Sequence, residues 1–209
     1  MRRADLRTPP PWALSGRGLL ALYRASADLV AEERRAHFRG GLSAVMLVNY
    51  ATSPVGPYRE LLFVGGFFKE AGLLRPSVTR ILVDGEESAV SGRENWGLPK
   101  EVARFDWQDG FVRVTQGGRF VAELGGRAFG PELPATSTLV ARPWRTLAQP
   151  WKGQVLLTAP EASGKVRFAR LSHVLVNPDL FPDVGARRPL LTLEVTRFEM
   201  KFPRPKIGQ

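Results

Sequence analysis

One lysine stands in surroundings that suit covalent chemistry. The segment Ser91-Gly92-Arg93-Glu94-Asn95-Trp96-Gly97-Leu98-Pro99-Lys100-Glu101 is the densest run of unusual residues in the chain. Pro99 fixes its own φ and drives Leu98 out of the helical region, so Lys100 is presented on a constrained backbone beside Trp96 and Leu98. Lysine is also scarce: only six of the thirty cationic residues are lysines, the rest arginines. An amine attacks a carbonyl carbon only when unprotonated, and a free lysine, with a pKa of about 10.4, is almost wholly charged at neutral pH. Burial in an apolar hollow lowers that pKa by up to ~3–5 units, because it disfavours the ammonium. Most lysines are solvated surface groups. The residues alone therefore leave two readings open, a wet surface lysine or an activated nucleophile.

Other chemistries find less support. The chain has no cysteine, which excludes disulfide scaffolds, thiol nucleophiles and iron–sulfur ligation. Its two histidines, His37 and His173, have no second histidine or carboxylate at a metal-ligand spacing, so both are read as structural and no metal is expected. No nucleophile elbow supports a serine hydrolase. Gly16-Arg17-Gly18 is too short for a phosphate loop, and no strand-then-glycine fingerprint occurs, so no cofactor is expected.

The elements that must position Lys100 read mainly as strands. Runs at Leu42–Tyr50, Tyr58–Phe68 and Thr79–Val83 favour β structure, with Gly65-Gly66 marking a bend in the second. Glu87–Val90 also reads as strand, which places Ser91–Lys100 on a loop. Phe111–Thr115 and Arg119–Leu124 flank a glycine turn and read as a hairpin. Lys152–Thr158 and Gly164–Val176 are expected to pair. On the latter, Val166, Phe168, Arg170, Ser172, Val174 and Val176 share one face. In Leu190–Phe202 the apolar parity switches between Val195 and Phe198, which predicts a bulge near Thr196 or Arg197. One helix is expected over 26–38, capped by Ser26 and ended by Gly40-Gly41. Phe129–Pro150 carries four prolines and reads as a long crossing loop.

Length and composition fit one domain over residues 1–209, with an Arg- and Pro-rich extended arm over residues 1–12. Hydrophobic residues make up 44% and charged residues 24%, ordinary values for a folded chain. The longest clean apolar run is too short for a membrane helix, and the stretch between Arg2-Arg3 and Leu19–Tyr23 is a poor leader, so the chain is read as cytoplasmic with no membrane partner. The formal net charge is +10. Arginines are spread along the chain and interleaved with acids, so no nucleic-acid partner is expected.

Gly92-Arg93-Glu94, followed by Pro99-Lys100, resembles the signature of the acetoacetate decarboxylase family, whose lysine after the proline forms a Schiff base with the substrate ketone. Ser53-Pro-Val-Gly-Pro-Tyr-Arg-Glu60 is similar to a second family stretch, whose glutamate faces the active site. The resemblance runs from about Trp12 to Pro203. It implies Lys100 as nucleophile, Glu60 as proton carrier and Arg17 as the group meeting a substrate carboxylate. Arg93 and Trp96, in the same segment, are assigned to substrate binding. It further implies a homo-oligomer and a small keto acid as substrate.

The fold class expected on both grounds is mainly β (α+β): an antiparallel β-barrel or double sheet around an internal cavity, with one or two short helices. Two positions depart from the family pattern. Glu101 stands where a second lysine follows the nucleophile, and Val45 stands where a glutamate precedes the Glu60 equivalent by fifteen residues. A carboxylate at ~4 Å would interact with the ammonium by about 4 kcal/mol at an effective dielectric near 20, so decarboxylation requires that Glu101 face away. Because of these departures, two alternatives stand beside a decarboxylating lyase. One is a Schiff-base aldolase or dehydratase on a pyruvate-like substrate, and the other a non-catalytic ligand-binding member.

Overall fold

The computed structural model describes residues 7–208. About three-fifths of them lie in strands, with short helical pieces between. A ten-stranded sheet runs in the order β5-β4-β3-β2-β1-β12-β11-β8-β7-β6. Its members are β1 (Trp12–Arg24), β2 (Leu42–Thr52), β3 (Tyr58–Glu70), β4 (Leu73–Val83), β5 (Lys100–Val102), β6 (Arg104–Gln108), β7 (Phe111–Gln116), β8 (Arg119–Thr136), β11 (Glu161–Val176) and β12 (Leu191–Phe202). A second sheet pairs β9 (Leu147–Trp151), β10 (Gln154–Thr158) and β13 (Lys206–Ile207). All ladders are antiparallel except β4–β5, which is parallel and needs a crossover. Helix α2 (Glu86–Trp96) supplies it.

The two edge strands of the large sheet, β5 and β6, are separated in the chain by Ala103 alone. The sheet must therefore curl until its edges meet. It folds over a core in which Leu47, Leu61, Phe63 and Leu82 from one half meet Phe105, Val112, Val121 and Leu124 from the other. No ladder closes the two edges among the described residues; of the expected barrel or double sheet, the structure has one large folded-over sheet and one small second sheet. A second core lies on the opposite face of β2–β4. There Tyr50, Tyr58, Leu62, Ile81 and Val83 pack against Ala89 and Trp96 of α2. Alternate residues of one strand thus enter different cores, as the period of two requires.

Several expectations need correction. Residues 87–90 are helical, in the first half of α2. Two acids in its first turn suit the helix dipole, and Gly97, left-handed at φ 66°, ends it. The helix expected over 26–38 is a 3-10 turn at Ala27–Leu29 and a single α turn, α1 (Glu32–Arg35). Ser26 spends its hydroxyl on the Asp28 carboxylate rather than on a helix amide. The crossing loop of 129–150 is largely structured. β8 continues to Thr136, and a 3-10 turn, α3 (Arg142–Arg145) and β9 follow. Lys152–Thr158 and Gly164–Val176 do not pair: β10 joins β9, whereas β11 joins β8 and β12. Irregularities in β11 at Val166/Phe168 and Leu171/His173 break the proposed common face and leave Phe168 exposed.

Other expectations hold. The hairpin at β7–β8 is present, as is the bend in β3, where Gly66 takes φ 113°. The parity switch in β12 is a bulge: Val195 pairs with Gly18 and Phe198 with Gly16, so two residues, Thr196 and Arg197, oppose one. The arm is described only from Arg7 onward, with residues 1–6 outside the described part. From Arg7 to Trp12 it straps across α2. Thr8 donates to Glu87 at 2.7 Å, and Asn95 donates to the Thr8 carbonyl at 2.6 Å. Among the described residues no helix is long and apolar enough to cross a membrane.

At the bulge the strands approach closely. A Cβ on Gly164 would lie 2.1 Å from the Arg197 carbonyl oxygen, a backbone atom that cannot swing aside. Gly164→Ala is therefore expected to lower the urea midpoint by an amount equivalent to ~1–3 kcal/mol. Gly185→Ala, where the nearest atom lies at an ordinary 3.5 Å, serves as the near-neutral control.

Candidate active site

Lys100 opens β5 directly after the stop of α2. The Gly97 N–H bonds the Arg93 carbonyl at 3.0 Å and the Leu98 N–H bonds the Gly92 carbonyl at 3.2 Å. These two bonds close the helix, and Pro99 keeps it closed. Lys100 then pairs with Ile81 in the parallel ladder, so its side chain enters the same core as Ile81. The Arg93 guanidinium donates to the Lys100 carbonyl at 2.5 Å and holds the turn. Gly92 is required by closeness: a Cβ there would lie 2.5 Å from Lys100 Cδ.

The amine is 4% exposed and points inward. Its Nζ lies 2.8 Å from Glu60 Oε2, and that carboxylate is equally buried. Nζ also donates to Ser88 Oγ at 3.1 Å and sits 5.0 Å from the centre of the Tyr58 ring. Tyr50 donates to the other Glu60 oxygen at 3.2 Å, and its ring stacks on Tyr58 with centroids 4.5 Å apart. Two strands and one helix thus deliver the group. β3 places Tyr58 and Glu60 two residues apart on one face, β2 sets Tyr50 opposite Tyr58, and α2 supplies Ser88 and Gly92 four residues apart.

The electrostatics differ from the expected dry hollow. Burial is the largest influence on Lys100 and pulls its pKa down, but Glu60 and Tyr58 pull it up by more, so the net shift is upward. The resting lysine is therefore an ammonium held by a carboxylate. Burial likewise pushes Tyr58 up to about 12 and Tyr50 well above its ordinary range, so both phenols stay protonated.

The remaining sequence-named residues are distributed as follows. Glu101 points away from Lys100, as decarboxylation requires: it binds Arg80 and accepts from Gln116 at 2.6 Å. Val45 lies in the core of the folded sheet, on the face opposite Glu60. Trp96 is 2% exposed and wedged edge-on between Trp12 and Phe202, with its indole N–H on the Pro203 carbonyl. In the resting structure it is a core residue. Arg17 does not join the group either. It pairs with Asn49 next to Gly16–Tyr50, and alternation turns it to the other face of the sheet. Tyr50, Tyr58 and Ser88 received no role from the sequence. Tyr58 sits inside the quoted 53–60 stretch at the same parity as Glu60, which is the one signal that marked it. Two cavities, of about 460 and 650 Å³, both include Arg17, and neither is lined by Lys100.

Because the folded-state pKa of Lys100 is raised, the ion pair stabilises the fold fully below about pH 10.4, the unfolded lysine value, and that contribution is lost as pH rises through the higher folded value. The two tyrosines act with the same sign. Lys100→Met leaves Glu60 buried without its partner, and is expected to cost ~3–5 kcal/mol in urea unfolding at neutral pH. The deficit relative to the parent protein should shrink above pH 10.4. A constant deficit across pH 7–12 would show that the pair is not ionised.

No family model matches the chain. The curated proteins named Neoxanthin-deficient 1 from Solanum lycopersicum and from Oryza sativa subsp. japonica are 30% and 32% identical over 102 residues. These matches cover 46% of this chain and only 35% and 34% of the relatives, about a third of their length. Solved structures match far more of the chain. Acetoacetate decarboxylase from Legionella pneumophila superposes with a TM-score of 0.71 at 14% identity, over 96% of this chain and 88% of that one. The enduracididine biosynthesis enzyme MppR, complexed with pyruvate, gives 0.65 at 17% identity over 96% and 91%. An acetoacetate decarboxylase-like enzyme from Sphingomonas wittichii RW1 gives 0.66 at 12% identity over 100% and 97%. The chain thus shares its fold with acetoacetate decarboxylase, with an acetoacetate decarboxylase-like enzyme and with MppR.

Proposed function

We propose that the protein forms a Schiff base between Lys100 and a small carbonyl compound, with a keto acid as the leading substrate class, and acts as a carbon–carbon lyase. The observation that carries this reading is the Lys100–Glu60 pair, a buried amine 2.8 Å from a buried carboxylate. The pair solves the protonation problem by proton transfer rather than by dryness. Lys100 gives its proton to Glu60, and the neutral amine attacks the carbonyl carbon. The C–N bond forms as the carbonyl π pair moves to oxygen, which takes the proton back from Glu60. Loss of water then leaves the iminium. A general base must lie within hydrogen-bond reach of the proton it removes, and Glu60 does.

The iminium is an electron sink. In a β-keto acid the bond to the carboxylate breaks, its electron pair flows to the iminium nitrogen, and carbon dioxide leaves. Protonation of the resulting enamine and hydrolysis release the ketone. With pyruvate, the ligand of the MppR structure, the same enamine would instead serve an aldol or dehydration step. Ser88 steadies the amine, while Tyr50 and Tyr58, both protonated, are available as hydrogen-bond donors.

A second reading is favoured by a different observation. Lys100 is engaged by its own carboxylate and the two described cavities lie elsewhere, as they would in a non-catalytic member that only binds a ligand.

Borohydride trapping separates the readings. Incubation with acetoacetate or pyruvate plus borohydride should add the reduced adduct mass to the tryptic peptide holding Lys100, and Lys100→Ala should abolish it. Glu60→Gln should cut the maximal trapping rate at least tenfold, because the proton carrier is gone, and shift the rate profile to lower pH, because the carboxylate that holds the Lys100 pKa up is lost. Carbon dioxide release from acetoacetate distinguishes a lyase from an aldolase. Absence of trapping with both ketones would leave the ligand-binding reading in possession of the site.

A further inference from the structure

Arg17 was assigned to the Lys100 site, and the fold sends it elsewhere. Its side chain is exposed and makes no ion pair or hydrogen bond among the described residues. It lines the 460 Å³ cavity at the mouth of the folded sheet, where the tip of the β6–β7 hairpin overhangs β1 and β2. Three further polar side chains on that cavity are equally without partners among the described residues: Asn49, Gln108 and the indole of Trp107. The floor is apolar. Leu19 and Leu47 come from one half of the sheet and Val112 and Leu124 from the other, and the last three are core members. Gly125 and Gly126 keep the hollow shallow-walled. A Cβ on the first would strike the Gly110 carbonyl at 2.1 Å, and one on the second would strike Leu19 at 2.7 Å.

We infer that this cavity is a second ligand site, on the opposite sheet face from Lys100, which takes an amphipathic monocarboxylate, its head on Arg17 and its apolar body over Leu19, Leu47 and Leu124. The volume falls in the ~300–1,000 Å³ range of small-molecule pockets, and an apolar lining with a few convergent polar groups is the pattern such pockets show. A guanidinium offers a carboxylate two parallel N–H donors, and Asn49, Gln108 and Trp107 add neutral donors beside it. One acid also lines the cavity. Glu194 pairs with Arg167 at 3.9 Å, and its carboxylate disfavours a second negative charge on the ligand. The site therefore selects a monoanion with an apolar tail over a dianion or a neutral alcohol. It does not depend on imine chemistry at Lys100, so either can fail without the other.

Calorimetric titration of the full chain with decanoate tests the assignment, with decanol and the ten-carbon dicarboxylate sebacate as comparisons. Decanoate is expected to bind, with decanol and sebacate each at least tenfold weaker. Arg17→Met should weaken decanoate at least tenfold, and Arg17→Lys by less. Lys100→Met, on the far face, should leave decanoate affinity within twofold under conditions where its urea transition shows it to be folded. Arg17 is exposed and unpaired, so both of its variants should keep the parent urea midpoint. Absence of decanoate binding at millimolar concentration would overturn the proposal. Equal affinity for decanol, or loss of binding with Lys100→Met rather than Arg17→Met, would overturn it as well.

Discussion

An ammonium and a carboxylate taken out of water together must be compensated by everything around them. Removing either charge from solvent costs several kcal/mol even after relaxation, and only short contact with the partner, supported by further hydrogen bonds, offsets it. Around Lys100 that support is complete: Glu60 at 2.8 Å, Ser88 at 3.1 Å, and the phenol of Tyr50 on the far carboxylate oxygen. The pair is thus a constraint on five elements at once. β3 must hold Glu60 in register with β2, β4 must accept β5 in parallel, and α2 must stop where Gly92 clears the lysine stem. A one-residue slip of β3 would turn Glu60 into the other core.

This arrangement explains why the crossover helix is built as it is. Its inner face needs small residues, and Ser88, Ala89 and Gly92 supply them, all buried. Its outer face carries Glu87 and Asn95, which the segment beginning at Arg7 ties down, and its end is closed by Gly97 and anchored through Arg93 to the Lys100 backbone. Trp96 fixes the helix against β1 and β12 through Trp12 and Phe202. Arg93 and Trp96, which the sequence reading named for substrate binding, lie in the folded chain next to the amine's own supports. The small sheet completes the cover: Gln149 of β9 donates to the Val78 carbonyl and accepts from Ser77 at the base of β4.

Much of this could be read from residue types. Strand periodicity found β2, β3, the β7–β8 hairpin and the β12 bulge because each depends on local alternation, and alternation is a local property. The α2 helix escaped because Ser, Gly and Val dilute its helical pattern, though Glu86-Glu87 at its start and Gly97-Leu98-Pro99 at its end are ordinary start and stop signals. The proline-bearing end of β8 escaped because proline argues against strand. Here Pro134 is accommodated beside an irregularity in the ladder to β11. Pairing partners for β10 and β11 were missed because they are set by which strands bury which face, not by nearness in the chain.

By itself the sequence determined that Lys100 is backbone-constrained and that a decarboxylating Lys100 would need Glu101 to face away, while Glu60 was named through the family resemblance. Proline geometry, strand parity and charge are properties of neighbouring residues. Tertiary structure alone decided that Glu60 contacts the amine and keeps it charged, that Trp96 is a wedge, and that Arg17 lies across the sheet from both. A pKa depends on distance and dielectric, and which face a side chain enters depends on bulges accumulated along several strands. Neither quantity exists until the sheet has curled.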